Sequence, residues 1–208
     1  AFGKTHQMAW SNDSKCFVYN KNNTVYMYHV QYKWNKPIQL PEGEKVHITQ
    51  IKWSYKDNLF AVMYLDEVQK KLSVAMVNAE TLIAKRVYTY TDNRFISPDI
   101  ASTILFFPEN DNFAILSDKD GYIHAYVYTQ AGILKHQIGK GNFDVTKIYG
   151  YDAKNKLVYY QSTENGPLNR GVYAIGLYDG KKRALAAHNG TNDASFSENY
   201  AYFVLTYS

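Results

Sequence analysis

The sequence predicts an all-β protein of about four four-stranded antiparallel sheets plus half of another, that is, part of a β-propeller. Three observations carry this. Short apolar runs rich in Val, Ile, Tyr and Phe alternate with polar turn clusters along the chain, as half-buried strands do. Tyr occurs 20 times, and aromatics make up 16% of residues against 20% charged, a composition suited to pleated faces that bury large rings. The runs also recur: Trp10-Ser11 and Trp53-Ser54 each precede a polar turn and a second apolar run, at a spacing within the roughly 40–50-residue period of propeller blades. A four-stranded blade has two apolar faces and covers neither alone, so neighbours must stack on it. Helical periodicity is weak, which tells against an α-solenoid, and a two-sheet sandwich is the rival arrangement.

Taken in order, the first unit (1–45) has runs at 5–11, 16–20, 24–30 and 38–40, with turns at 12–14 and 21–23. The second (46–92) has runs at 48–54, 59–65, 72–77 and 86–90. In the third (93–140) they fall at 103–107, 113–117, 122–128 and 135–138, and Pro108 to Asn112 and Asp118 to Gly121 supply turns. The fourth (141–190) is the clearest, with β-rich runs at 141–151, 156–162 and 171–178 and a short run after Asp179-Gly180. Turn clusters at 152–155 and 163–167 separate them. A half unit (191–208) has runs at 194–197 and 201–207. Because that last unit holds two runs, and because the chain opens Ala-Phe-Gly-Lys with no initiator Met or signal peptide, the expectation is a processed chain or a piece of something longer.

The net charge of +4 is mild and the basic residues are scattered, so nucleic acid is not an expected partner. No apolar stretch approaches the ~20 residues that a membrane-spanning helix needs. A lone cysteine, Cys16, forms no internal disulfide and reads as a small buried hydrophobe. His6, His29, His47, His124, His136 and His188 show no metal-ligand spacing, and Asp118 to Gly121 lacks the spaced ligands of a calcium loop. Neither a metal nor another cofactor is expected. Asn12-Asp-Ser14, Asn22-Asn-Thr24 and Asn189-Gly-Thr191 match the glycosylation triplet in turns, as an Asn-rich chain does by chance. There is no nucleophile beside a base and no Gly-x-Ser-x-Gly elbow, so no catalytic residue is assigned.

Several segments carry a resemblance. Lys140-Gly-Asn-Phe-Asp-Val-Thr146, Leu157-Val-Tyr-Tyr-Gln-Ser-Thr-Glu164, Arg170-Gly-Val-Tyr-Ala-Ile-Gly-Leu177 and Ala194-Ser-Phe-Ser197 resemble the N-terminal β-propeller domain of the dipeptidyl peptidase IV family of serine exopeptidases. Ser117-Asp-Lys-Asp-Gly-Tyr-Ile-His-Ala-Tyr-Val-Tyr128 is similar to that family's Ser-x-x-Asp-Gly-Tyr-x-His segment, and Ile48 to Ser54 with Ala61 to Leu65 resembles the preceding blade. The likeness is sharp over 95–208 and softer over 46–94; residues 1–45 match only a generic blade. It implies an eight-bladed propeller that gates and positions peptide substrates for a separate α/β-hydrolase domain, expected downstream. It also implies an extracytoplasmic home and is compatible with a homodimer. A stand-alone interaction scaffold is the alternative.

In the resembled family two propeller acids bind the substrate amine, but the run that carries them is absent here. The nearest pair, Asp66-Glu67, reads as a solvated turn and is not given that role. One loop, 91–98, corresponds to the stretch lining the opening between propeller and catalytic domain. On that basis Arg94 and Phe95 are the candidate substrate-binding residues, with blade-to-blade packing as the competing role for Phe95.

Overall fold

The computed structural model describes residues 7–41 and 45–208; the expected run at 5–11 and His6 lie partly or wholly outside them. The described chain forms four four-stranded antiparallel sheets and one two-stranded sheet, each a meander in chain order. The first holds β1 (Met8–Trp10), β2 (Cys16–Lys21), β3 (Thr24–His29) and β4 (Trp34–Ile38). The second holds β5 (Val46–Trp53), β6 (Leu59–Asp66), β7 (Lys71–Asn78) and β8 (Ala84–Thr91). A short helix, α1 (Pro98–Ser102), precedes β9 (Ile104–Phe106), β10 (Phe113–Ser117), β11 (His124–Tyr128) and β12 (Leu134–Ile138). Then come β13 (Val145–Asp152), β14 (Leu157–Ser162), β15 (Gly171–Gly176) and β16 (Lys182–Ala186), and finally β17 (Asn192–Phe196) paired with β18 (Phe203–Tyr207).

Burial follows strand position. The middle strands β6, β7, β10, β11 and β15 are buried almost throughout, whereas β8, β12 and β16 alternate or lie largely exposed. A strand covered on both faces reads as a continuous apolar run, which is what Leu59-Phe-Ala-Val-Met-Tyr-Leu65 is.

The repeat has a structural basis in serine. Ser11, Ser54 and Ser197 each donate their backbone N–H to the carbonyl five residues on, in Cys16, Leu59 and Tyr202, at 2.9–3.0 Å. Their hydroxyls bind backbone within the same turns. The β2–β3 hairpin closes on Asn22 and Asn23, both at positive φ (51° and 61°), the two-residue turn that suits the strand twist.

Two differences from the sequence expectation have physical causes. The fourth strand of the first sheet is Trp34–Ile38, not 38–40; it contains Pro37, which pairs opposite Tyr26. Proline is tolerated there because β4 is an edge strand. Helix α1 was not anticipated, although Ser97 caps it, accepting from the Asp99 N–H, and Pro98 opens it. Five residues are too few to show a helical period.

The chain divides into two compact units, residues 1–111 with 130–133, and residues 112–129 with 134–208. In the first, Cys16, Val18, Val25, Met27 and Ile38 pack with Ile51, Trp53, Phe60, Val62, Tyr64 and Val77 in one core. The first two sheets are also stitched by hydrogen bonds: Trp53 Nε1 donates to the Ala9 carbonyl at 3.0 Å and Asn12 Nδ2 to that of Ser54 at 2.9 Å.

In the second unit Val172, Ala186 and Ala194 pack with Tyr149, Leu185, Phe196 and Leu205. Tyr200 stacks on Tyr159 at 5.2 Å and lies over Gly150. The hydroxyl of Tyr149 donates to Asp193 at 2.6 Å, and Lys147 reaches the same carboxylate at 3.0 Å. The Tyr149 hydroxyl first, then Lys147, outweigh burial and hold the Asp193 pKa below its ordinary value. A depressed carboxylate contributes stability above its unfolded pKa and loses it as pH falls through the folded one. Acidification below the ordinary aspartate range should therefore lower the melting temperature, and Asp193→Asn should flatten that dependence in scanning fluorimetry. An unchanged pH profile in the variant would remove Asp193 from the account.

Candidate functional site

Residues 91–97 leave β8 and enter α1, and their geometry separates an anchored part from a displayed part. The Asp92 and Ile96 N–H groups donate to the carbonyls of Lys70 and Gln69 at 2.9 and 3.3 Å, tying the segment to the β6–β7 turn. Ile96 is 1% exposed, and Ile100 and Ala101 of α1 are buried. The Thr49 hydroxyl on β5 donates to the Ala101 carbonyl, fixing α1 against the second sheet. Between these anchors Arg94 and Phe95 point outward, the Arg94 side chain 92% exposed and Phe95 52%.

Asp92 shapes this turn. Its Oδ1 accepts from the Arg94 N–H at 2.6 Å and lies 3.9 Å from Arg94 Nε, while Tyr90 donates its hydroxyl to Oδ2 at 3.4 Å. Asp92 was not singled out from the sequence, although an aspartate that bonds backbone two residues on is an ordinary turn signal. An exposed guanidinium, paired only loosely with Asp92, beside a half-exposed ring on a fixed mount can bind peptide carbonyl or carboxylate oxygens and an apolar side chain.

The neighbouring acids are placed differently. Asp66 Oδ1 accepts from the N–H groups of Lys70 and Lys71 at 2.8 and 2.9 Å, so its carboxylate is occupied by its own turn. Glu67 is exposed, 4.0 Å from Lys45 Nζ.

Elsewhere the polar clusters are structural in character. His124 is 1% exposed, with Nδ1 3.1 Å from Asp120 and its ring edge-on to Phe143 at 5.1 Å. Gln137 donates to the same Asp120 carboxylate at 2.8 Å, and the turn closes with the Gly121 N–H on the Asp118 carbonyl. Glu164 accepts from Tyr160 at 2.7 Å and pairs with Lys182; burial, then Glu164, push the Tyr160 hydroxyl pKa up. Burial also raises the Cys16 thiol, as an inert core cysteine requires. Among the described residues no group of three His, Cys, Asp or Glu side chains could hold a metal ion, and no helix is long and apolar enough to cross a membrane.

Against known proteins, residues 20–208 match the family model described as the dipeptidyl peptidase IV N-terminal region. The chain belongs to that family. The crystal structure of Porphyromonas gingivalis dipeptidyl peptidase 4 matches all of this chain at 30% identity and a TM-score of 0.89, over 34% of its own length. A putative dipeptidyl aminopeptidase IV from Bacteroides ovatus matches 97% of the chain at a TM-score of 0.78 but 18% identity, and so speaks to the fold alone. A probable dipeptidyl peptidase 4 of Aspergillus flavus is 28% identical over 185 residues, 82% of this chain and 23% of that protein. The chain thus spans about a quarter of the length of the curated relatives it matches. As a member of this family it has the fold the repeats predicted, an all-β propeller portion made of four-stranded sheets.

Proposed function

We propose that this chain is the non-catalytic propeller portion of a dipeptidyl peptidase IV-like serine exopeptidase, gating and positioning peptide substrates for a separate α/β-hydrolase domain. The observation that carries the reading is the family match over residues 20–208. The displayed pair Arg94 and Phe95 on their anchored loop supports it, since a substrate-positioning site needs side chains held on rigid elements. An extracytoplasmic location and a homodimer belong to the same proposal.

The test uses the whole reading frame. The protein extended beyond Ser208 should carry a Gly-x-Ser-x-Gly elbow and cleave a Gly-Pro amide, whereas the 208-residue chain should give no turnover above buffer. In the extended enzyme Arg94→Ala should raise KM roughly tenfold with kcat little changed, as loss of one charge-assisted contact does. Unaltered kinetics in both Arg94→Ala and Phe95→Ala would remove the loop from the substrate path.

One observation favours a second reading, an independent interaction scaffold. The Phe17 ring contacts both Trp10 and Tyr28 at about 5 Å, Tyr19 stacks on Tyr26 at 5.5 Å, and Met8 and Trp10 of that face are exposed. A frame that carries no hydrolase domain would favour this reading.

A further inference from the structure

We infer that Asn189-Gly190 is a latent deamidation site and that the side chain of Asn169 keeps it closed. The reaction needs two partners: the asparagine side-chain carbonyl carbon as electrophile and the following backbone nitrogen as nucleophile. Glycine in the second position offers the least steric obstruction to their meeting.

At Asn189 the electrophile is available. The residue is exposed in the loop between β16 and β17, and among the described residues no hydrogen bond holds its side chain. The nucleophile is not available. The Gly190 N–H donates to Asn169 Oδ1 at 2.7 Å, a bond made across 21 positions. Around it the backbone is pinned: the Gly190 carbonyl accepts from the Arg170 N–H at 2.9 Å, and buried Asn192 donates from Nδ2 to the His188 carbonyl at 2.7 Å. The second Asn-Gly pair of this unit differs. At Asn165-Gly166 both partners are engaged, Asn165 Nδ2 with the Ala187 carbonyl at 3.2 Å and the Gly166 N–H with the Thr163 carbonyl at 3.0 Å. Asn189 is therefore the position at which one long-range side-chain bond separates an exposed electrophile from its nucleophile.

When that bond opens, the Gly190 nitrogen loses its proton and bonds Asn189 Cγ, and Nδ2 leaves as ammonia with the proton. The resulting succinimide takes up water at either ring carbonyl, breaking a C–N bond to give aspartate or isoaspartate. The net change is loss of ammonia and gain of water. Isoaspartate adds a methylene to the backbone just before Thr191, whose N–H and carbonyl exchange hydrogen bonds with Ser208 at 2.9 and 3.0 Å. The product therefore loosens the start of the β17–β18 sheet.

The test follows the peptide containing Asn189 by mass spectrometry, after incubating the 208-residue chain in mildly alkaline buffer. A synthetic peptide of residues 185–194 is the unprotected reference. The folded chain should react more slowly than the peptide. Asn169→Ala should accelerate the reaction about fivefold, the factor by which losing one net hydrogen bond shifts a local opening equilibrium. Asn169→Asp keeps an acceptor oxygen and should stay close to the parent rate, which separates loss of the guard from general unfolding. A parent chain as fast as the peptide, or equal acceleration in both variants, would overturn the inference.

Discussion

Gly132→Ala should cost about 2–5 kcal/mol of stability, combining overpacking with a left-handed alanine. Gly132 lies in the β11–β12 turn at φ +85°, and a Cβ there would sit under 3.0 Å from the carbonyl of Val87, closer than real Cβ atoms come. Val87 is the residue skipped where the β7–β8 register shifts, between the pairs Val74 with Tyr88 and Ala75 with Arg86. A bulged residue leaves the ladder locally and bends its strand, so its carbonyl can reach the glycine. The obstacle is backbone, which cannot rotate aside as a side chain can. Gly121→Ala is the control: φ is +98° but nothing lies within 4 Å of the added methyl, so only the conformational cost of about 1–2 kcal/mol remains. Urea unfolding midpoints of the two variants decide the matter, and equal losses would mean that the contact with Val87 contributes nothing.

The contrast between those two glycines also marks where sequence reading reaches its limit. Both look like turn glycines in the chain, because a turn is a local property and its residues announce it. What each glycine touches is not local. The same division runs through the rest of the molecule. Trp10-Ser11 and Trp53-Ser54 revealed the repeat because the serine closes its turn onto a carbonyl only five residues on. The apolar runs gave the middle strands because burial on both faces leaves no polar alternation to miss. By contrast, the fourth run of the first unit is expected at 38–40 while the strand is Trp34–Ile38, where Pro37 is tolerated only because the strand lies at the sheet edge. Helix α1 is too short for periodicity, although its Ser-Pro-Asp opening was readable as a cap.

The candidate loop divides in the same way. Arg94 and Phe95 were singled out by resemblance to a lining segment, but what makes them a displayed pair is non-local. Ile96 is buried, the Ile96 N–H reaches Gln69, and Thr49 holds α1 from a strand some 50 positions earlier. The bond from Gly190 to Asn169 is of this kind too. Spacing alone carries no signal for it.

Phe60→Ala should cost about 3–5 kcal/mol, the range for deleting a fully buried aromatic without collapse of its site. Phe60 is completely buried in the core shared by the first and second sheets, and its ring lies 4.9 Å from that of Trp53. That neighbour is itself a stitch, since its indole N–H binds the Ala9 carbonyl. Removing the phenyl ring takes packing from Trp53 on one side while its hydrogen bond still holds it on the other, so the cavity cannot close by a simple shift of the indole. Two readouts follow. The urea midpoint should fall, and the tryptophan emission should move to the red as water reaches Trp53. Val68→Ala, at a turn position 67% exposed, should stay within about 0.5 kcal/mol of the parent. A loss below about 1 kcal/mol for Phe60→Ala would mean that the Asn12 and Trp53 hydrogen bonds, not the apolar cluster, hold these two sheets together.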